Sequence, residues 1–506
     1  MNLDKESKEK RDTAMSFSSS EFERLVTRDL TSSSAGSGGG SVAQRTQSEV
    51  REILGDYKNE SNQRALVEIS EALYVESPQY QRLIKHFANM LTFSYVVTPK
   101  MDASDLSLEQ KKEQFTEVAS LAKKMSFKHE FTKVLTEAYK TDVFYGYVHM
   151  TDDDFYIQKI PHEICKISSV EYGVYNYSID MTHFDADTSQ LRYYAPEITQ
   201  KYEEWLQIRD ATEQDEHGND IEVGDWMELD PENTICIKIN EHMLYVVPPF
   251  SGSFDSVYEI KAFKNLRLDK AELDNYMMLV QSIPMRTNSE ENNDFLIDFN
   301  MANYYHNMVS TVAPENVGVI TSPMEIKPTK FDRDRVDSDG VAKAERDFWS
   351  GNGTSQALFS SDNNTSEGIK SSIGADENVA FMVLNQLERW TNRFMLYHTS
   401  STLYSIDFLA VTWFNRDKVV KELLDSSTYG LPNKMATASV LGVEPISIQG
   451  MAELENDILN LDSAFVPLAS SHTQSSQPGD EGGRPTNDEA GVPDSPETDK
   501  QRARSD

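Results

Sequence analysis

The stretch from Asp376 to His398 constrains the fold more than any other part of this chain. Ala380, Val383, Leu384, Leu387, Trp390, Phe394 and Tyr397 recur at spacings of three and four, so one face of a helix is apolar and largely aromatic. Such a helix is stable only against an opposing layer. Asp376 is the expected N-cap of this helix. Packing, rather than a cofactor box, is the reading of the Trp390 face.

From Asn62 to Leu91 the pattern predicts two helices, with Ser77 and Pro78 at the N-cap and first turn of the second. Tyr80, Leu83, Ile84, Phe87 and Leu91 form its apolar face. A strand is expected over Thr92–Pro99, then helices near Ser107–Met125 and His129–Lys140. Val143–Met150 and Phe155–Ile160 flank Thr151-Asp-Asp-Asp154 as a hairpin. Further strands are expected at Cys165–Ser169, Val174–Ile179 and Thr234–Ile239, with a helix over Pro196–Ala211 opened by its proline.

After Pro248-Pro249-Phe250 the character changes. Asp255–Leu266 reads as helical. Asp269 and Glu272 have capping-box spacing, which predicts a second helix running to Ser282 and stopped by Pro284. Beyond a polar loop, Phe295–Phe299, a helix near Met301–Ser310, Val317–Ile320 and Met324–Ile326 form a small α+β insert. Asp337 and Ser338 can cap a helix over Gly340–Ser350. Gly351–Thr365 has loop composition, Leu403–Phe414 alternates like a strand, and Lys418–Leu424 and Lys434–Leu441 read as helices. Residues before about Gln44 and after about Leu468 offer little to bury, so both ends are expected to be flexible.

Charge narrows the function classes. With 506 residues the chain is long enough for two to four packed units, and it carries 83 acidic against 48 basic side chains, a formal net charge of −35. An ordinary DNA-binding module displaces phosphate counterions with a basic stripe, and none is visible. Contact with DNA or an anionic membrane is therefore weak or repulsive. Cys165 and Cys236 stand alone, which suits a reducing cytosol rather than a disulfide scaffold. No signal-peptide core follows the charged first residues, and no apolar run reaches the ~20 residues of a membrane helix. A soluble protein made in a cytoplasm is the expectation.

Catalytic signatures are scarce: no HExxH, GxSxG, Walker A or strand-following GxGxxG occurs. The glycines of Thr31–Ser41 lack the Gly-Lys-Ser/Thr that a phosphate loop requires. The acidic run Asp332–Asp339 fails as a calcium loop. Placing Gly340 at the glycine position puts Arg335 and Arg346 where oxygen donors belong. Asp152–Asp154 reads as a turn before a cation site, and His162, three residues before Cys165, as a β-block residue before half of a nucleophile pair.

The order of elements says more than any motif. An α/β block leads into a helix, an insert, a returning helix, a polar loop, a long helix, a returning strand and short helices. This resembles the portal proteins of tailed bacteriophages, particularly those infecting Firmicutes, over roughly Asn62 to Leu461. The strings Tyr80–Pro99, Pro314–Met324, Gly353–Phe359, Ser371–Asp376 and Arg389-Trp390 carry the resemblance. It implies an α+β portal fold: a flexible arm (1–44), wing (45–254), stem helix 1 (255–284), clip (285–335) and stem helix 2 (336–350). A tunnel-loop region (351–375), a long helix with the returning wing strand (376–416), a crown (417–465) and a disordered acidic tail (466–506) follow.

The function so implied is a homo-oligomeric ring, of twelve subunits in the family, at the capsid vertex of the virion. It would be made in the host cytoplasm and serve DNA packaging, retention and ejection. The implied partners are the terminase large subunit, a head–tail adaptor, the major capsid and scaffolding proteins, and double-stranded DNA in transit, with no membrane. No enzymatic activity, cofactor or metal is implied. Asn363, Asn364 and Lys370 become candidates for the DNA-facing loop. Phe295, Phe299, Val317 and Ile320 mark the clip docking region. The physics agrees, since a ring that passes DNA should not grip it. The nearest rival reading is another virion component, a head–tail adaptor or minor capsid protein, which would lack the helix–insert–helix step. A cytosolic hydrolase is the rival from another class, and it would need convergent polar groups in a pocket.

Overall fold

The computed structural model describes residues 45–100, 106–210, 224–274, 277–284, 286, 295–314, 317–322, 340–354, 358 and 366–461. The expected flexible ends, the Met324–Ile326 strand and the caps Asp337 and Ser338 lie outside them. The described residues fall into two units, divided between Ile448 and Gln449. Helices and strands mix throughout, so the protein is α+β, and no described helix is long and apolar enough to cross a membrane.

The first unit opens with α1 (Gln47–Gly55), α2 (Glu60–Glu76) and α3 (Pro78–Ala88). Thr46 and Glu49 form a reciprocal capping box on α1, and Ser77 caps α3 by accepting from the Tyr80 amide, with Pro78 in the first turn. Tyr80, Leu83, Ile84 and Phe87 of α3 are buried, the face expected from their spacing. After β1 (Tyr95–Pro99) come α4 (Leu108–Met125), capped by Ser107 and Gln110, and α5 (Phe127–Thr141). Only Ser126, at φ +46°, separates these two helices.

β2 (Val143–Met150) and β3 (Phe155–Lys159) form the expected hairpin. Next come β4 (Cys165–Glu171), β5 (Val174–Asp180), the short α6 (Thr182–Asp185), α7 (Pro196–Asp210), β6 (Trp226–Glu228) and β7 (Thr234–Lys238). Two antiparallel sheets result, ordered β3–β2–β7 and β4–β5–β6. Gly146 of β2 has to be a glycine, because a Cβ there would lie 2.5 Å from the Phe144 ring and 3.0 Å from Ile235. The larger core gathers α3, α5 and the long helix around Phe131, Trp390 and Phe394, and the smaller one lies around Tyr177, Phe184 and Trp205.

α8 (Phe254–Asp274) is one uninterrupted helix, so Asp269 lies inside it and caps nothing. Neither glycine nor proline breaks its sequence. The stretch expected to continue as helix to Ser282 is instead a strand, β8 (Met277–Ser282). It pairs in parallel with β9 (Val317–Ser322), from Met277 opposite Val317 to Ser282 opposite Ser322. α9 (Phe299–Val312) joins them as the crossover of a small β–α–β insert. The chain returns through α10 (Gly340–Gly351), which packs on α8.

The long helix α11 (Ser366–His398) starts ten residues before the expected Asp376 cap. Asp376 is buried within it and meets His86 Nε2 at 3.0 Å. Ala380, Val383, Leu384, Leu387, Trp390 and Phe394 are all buried. β10 (Tyr404–Phe408) then pairs antiparallel with β1, Tyr95 opposite Phe408, and α12 (Arg416–Ser427) and α13 (Lys434–Leu441) follow. Of the second unit, residues 449–461 are described. They hold the end of α14 (Ser447–Ala452) and a π-helical turn, Glu453–Ile458, with Leu454, Ile458 and Leu459 exposed.

Candidate functional site

Two regions hold the side chains singled out by the sequence: the long helix with the sheet beneath it, and the insert with its two helices. Strand β7 is an edge of its sheet, and α11 seals that edge. The Gln386 amide accepts from the Lys238 N–H (3.3 Å) and donates to the Lys238 carbonyl (2.8 Å), as a neighbouring strand would. Trp390 Nε1 donates to the Thr234 carbonyl at 2.8 Å. Arg393, fully buried, donates to that carbonyl and to Asn176 Oδ1.

Beneath them Lys238 Nζ lies 2.8 Å from Asp142 Oδ2, both side chains buried. Burial pushes the Asp142 carboxyl above its usual range, and Lys238 opposes the shift. Asp142 sits at φ +74° between α5 and β2, where its other oxygen accepts from the Asn240 amide at 2.9 Å. Each charge is paired and hydrogen-bonded, so this cluster holds the fold together and presents nothing to a substrate.

Thr31–Ser41 and Asp332–Asp339 lie outside the described residues, and the other sequence candidates for chemistry take structural places. Thr151 and Asp154 close the hairpin turn with paired 3.0 Å bonds, and Lys124 Nζ donates to the Thr151 carbonyl. Burial lowers the Lys124 pKa while Asp152, Asp153 and Asp154 act to raise it, so an ammonium already occupies the acidic turn. His162 lies beside Glu163 at 3.6 Å, and burial lowers its pKa. Burial also pushes the Cys165 thiol well up, away from the thiolate a nucleophile needs.

The insert is built differently. Ala302, His306, Val309 and Ala313, spaced i, i+4, i+7 and i+11, are half-buried, and His306 meets Thr321 Oγ1 at 2.9 Å. Thr321 donates onward to Gln281 Oε1 at 2.9 Å, so it accepts from His306 Nδ1–H, and one chain of bonds ties α9 to both strands. None of the α9 side chains is buried. Met301, Tyr304, Tyr305, Met308 and Val312, at i, i+3, i+4, i+7 and i+11, form a second stripe between 46% and 80% exposed. The sequence reading did not single out this stripe, although its spacing was the available signal.

Of the expected docking residues, Phe295, Phe299 and Ile320 are exposed and Val317 is half-buried, all within or beside the insert. Of the expected loop residues, Asn363 and Asn364 lie outside the described residues. Lys370 is an exposed residue of α11, in helix rather than loop.

At the root of the insert α8 and α10 approach closely. A Cβ on Gly340 would stand 3.1 Å from the Phe263 ring, and Lys264 pairs with Glu345 at 3.4 Å. Phe348 and Trp349 of α10 are buried, and Asp255 at the start of α8 accepts Arg51 through both oxygens, at 3.0 and 2.7 Å. On α8, Phe254, Val257 and Ile260 are buried, whereas Phe263, Leu266 and Leu268 are exposed. Apolar exposure thus begins one turn beyond Ile260 and continues through the insert.

No family model matches the sequence, and no curated protein does. Among solved structures, the chain is similar to a chain of the virion of a native gene transfer agent particle. That match has 11% identity and a TM-score of 0.38, covering 83% of this chain and 99% of that one. It is similar also to chains from the neck of an empty particle computed with C6 symmetry and of a native particle computed with C12 symmetry. Each shows 12% identity and a TM-score of 0.38 over 83% of this chain, with 100% and 99% of the neighbour covered. At this level the likeness carries no functional conclusion.

Proposed function

We propose that this chain is one subunit of a tailed-bacteriophage portal, the ring at the capsid vertex through which DNA is packaged, retained and ejected. The observation that carries the reading is the helix–insert–helix step. α8 and α10 pack side by side and bear between them a β–α–β unit whose helix keeps the apolar stripe of Met301, Tyr304, Tyr305, Met308 and Val312 exposed. A subunit that leaves an apolar helix stripe exposed while closing two cores elsewhere is shaped for neighbours.

In this reading residues 45–254 with β10 are the wing, α8 and α10 the stem, the insert the clip, and α12 and α13 part of the crown. The protein acts as a channel and not as an enzyme. The clip receives the terminase motor during packaging and the head–tail adaptors afterwards. DNA passes the segment before α11, with Lys370 near its path. The net charge of −35 suits a channel through which a polyanion must slide.

Electron microscopy of the purified protein tests this. The expected particles are closed rings with a central hole, and their mass in solution is many times 57.4 kDa. A protein that stays monomeric across concentration and salt would overturn the reading. In particles, polar replacement of Phe295, Phe299, Val317 and Ile320 should stop engagement of the packaging motor while leaving the wing folded. Normal DNA filling by such particles would remove the docking role from the insert.

A further inference from the structure

We propose that α11 has two alternative starts, Ser366 and Asp376, and that the contact between His86 and Asp376 selects the longer helix. The proposal concerns the helix itself and stands or falls independently of the ring reading.

The segment Ser366–Ala375 is poorly suited to the helix it forms. It holds two glycines and three serines, and none of residues 369–375 is buried. Nothing around Gly374 requires a glycine. A Cβ there would meet no atom within 4 Å, and its backbone is not left-handed. Such a glycine only weakens the helix that contains it. From Asp376 onward the helix is anchored, with Asp376, Ala380, Val383, Leu384 and Leu387 buried.

Two ties fall at that boundary. The Asp376 carboxylate accepts from His86 Nε2 of α3 at 3.0 Å, both side chains being 6% exposed. Glu377 accepts from Thr412 Oγ1, and the His86 ring lies against Phe87 and Phe414. The same Asp376 carboxylate is the N-cap that the sequence predicts. To cap, it has to accept from the amide of Asn378 or Val379. Inside the long helix those amides bond one turn back, and the carboxylate is engaged with His86.

Asp376 cannot do both. Held by His86, it sits within a long helix. Released, it caps a short one, with Glu377 in the first turn, where the helix dipole favours an anion. The carboxylate is hydrogen-bonded in either state, so the exchange leaves no bare buried charge. Residues 366–375 span about 15 Å as helix and up to about 33 Å when extended. The shorter helix therefore lengthens the segment that leads into it. In the portal reading that segment lies on the path of the DNA.

Hydrogen exchange of the full chain tests this, read by mass spectrometry on peptides within residues 366–375 and 380–394. In the wild type the first set should exchange faster, with a step between the sets rather than a gradual rise towards Ser366. His86→Leu removes the selecting contact. It should speed the first set by about tenfold or more and leave the second unchanged. Gly374→Ala favours the long helix and should slow the first set about fivefold. Asp376→Asn keeps a capping side chain and gives up the charge. It should speed the first set by a smaller factor with the step in place, and it replaces His86→Leu should that variant fail to fold.

Equal protection of the two sets would mean a single start at Ser366 and would overturn the proposal. A gradual rise towards Ser366 that these variants of His86 or Asp376 do not change would mean ordinary fraying of a helix end, and would overturn it too. A step that is present but unmoved in a folded His86→Leu protein would remove the selecting role from His86.

Discussion

The β3–β2–β7 sheet and the β8–β9 sheet each carry helices, and they differ in what closes them. In the first, α11 seals the β7 edge through Gln386 and Trp390, and Lys238 and Asp142 satisfy each other beneath it. In the second, one helix lies against the sheet through a half-buried stripe and keeps a second, apolar stripe exposed. The first sheet takes its stability from contacts about 100 to 150 residues apart within one chain. The second has few such contacts, so its order depends on what approaches from outside. Self-sufficient packing suits a rigid body, and open packing suits an assembly surface.

The largest expected effect falls on the closed region. Trp390 is fully buried, stacked on Phe394 and edge-on to Phe131. Trp390→Ala should destabilise the fold by about 3–5 kcal/mol through lost burial and the cavity left behind. Denaturant unfolding followed by circular dichroism measures it. A loss under about 1 kcal/mol would mean that this core is loose and that the two regions differ less than they appear.

Next comes Lys238→Met, which leaves the buried Asp142 without its counter-charge at a cost of about 3–5 kcal/mol near neutral pH. Burial raises the folded-state pKa of Asp142 above the unfolded value. Between those two pKa values the unfolded chain binds fewer protons than the native one. Stability contributed at this site therefore falls as pH rises through that window. Without Lys238 the folded pKa rises further and the window widens. The gap between variant and wild type should thus shrink as pH is lowered towards 4, where protonated Asp142 no longer carries a buried charge. A pH-independent gap would mean that Asp142 reaches water.

Gln386→Leu should cost less, about 1–3 kcal/mol, since it leaves the Lys238 N–H and carbonyl without partners at the β7 edge. Hydrogen exchange at the Lys238 amide reads this directly, and unchanged protection would show that something other than the Gln386 amide closes that edge.

How much of this contrast the sequence displayed depends on locality. Ser77-Pro78, the helix from Ser107, the Thr151–Asp154 turn and the α11 face were legible, because each is decided by residues within a turn or two of one another. Met277–Ser282 was misread as helix because its strand form depends on Val317–Ser322, forty residues on. The start of α11 was misread for a related reason. Ser366–Ala375 holds two glycines and three serines, which disfavour helix locally. Yet α11 runs through them, with Asp376 held by His86 and Glu377 by Thr412 inside the helix. The Lys238–Asp142 and Gln386 arrangements join positions about 100 and 150 residues apart, and no spacing rule announces them. The α9 stripe was visible in its spacing, but only the structure tells which of the two faces of α9 its own sheet covers.

The smallest effect on folding is expected where the surface is most apolar. Met308→Ser with Val312→Ser removes two large side chains from the α9 stripe, which the chain already leaves exposed. At concentrations too low for assembly the folding free energy should change by less than about 0.5 kcal/mol. At higher concentrations the wild type should melt at a temperature that rises with protein concentration, because association stabilises the native state by mass action. The variant should show a weaker rise or none. Thermal melts at matched dilutions compare them. A loss above about 2 kcal/mol in the dilute protein would mean that the chain itself covers the stripe. The parallel sheet would then be as closed as the antiparallel one, and the case for neighbours at the insert would go with it.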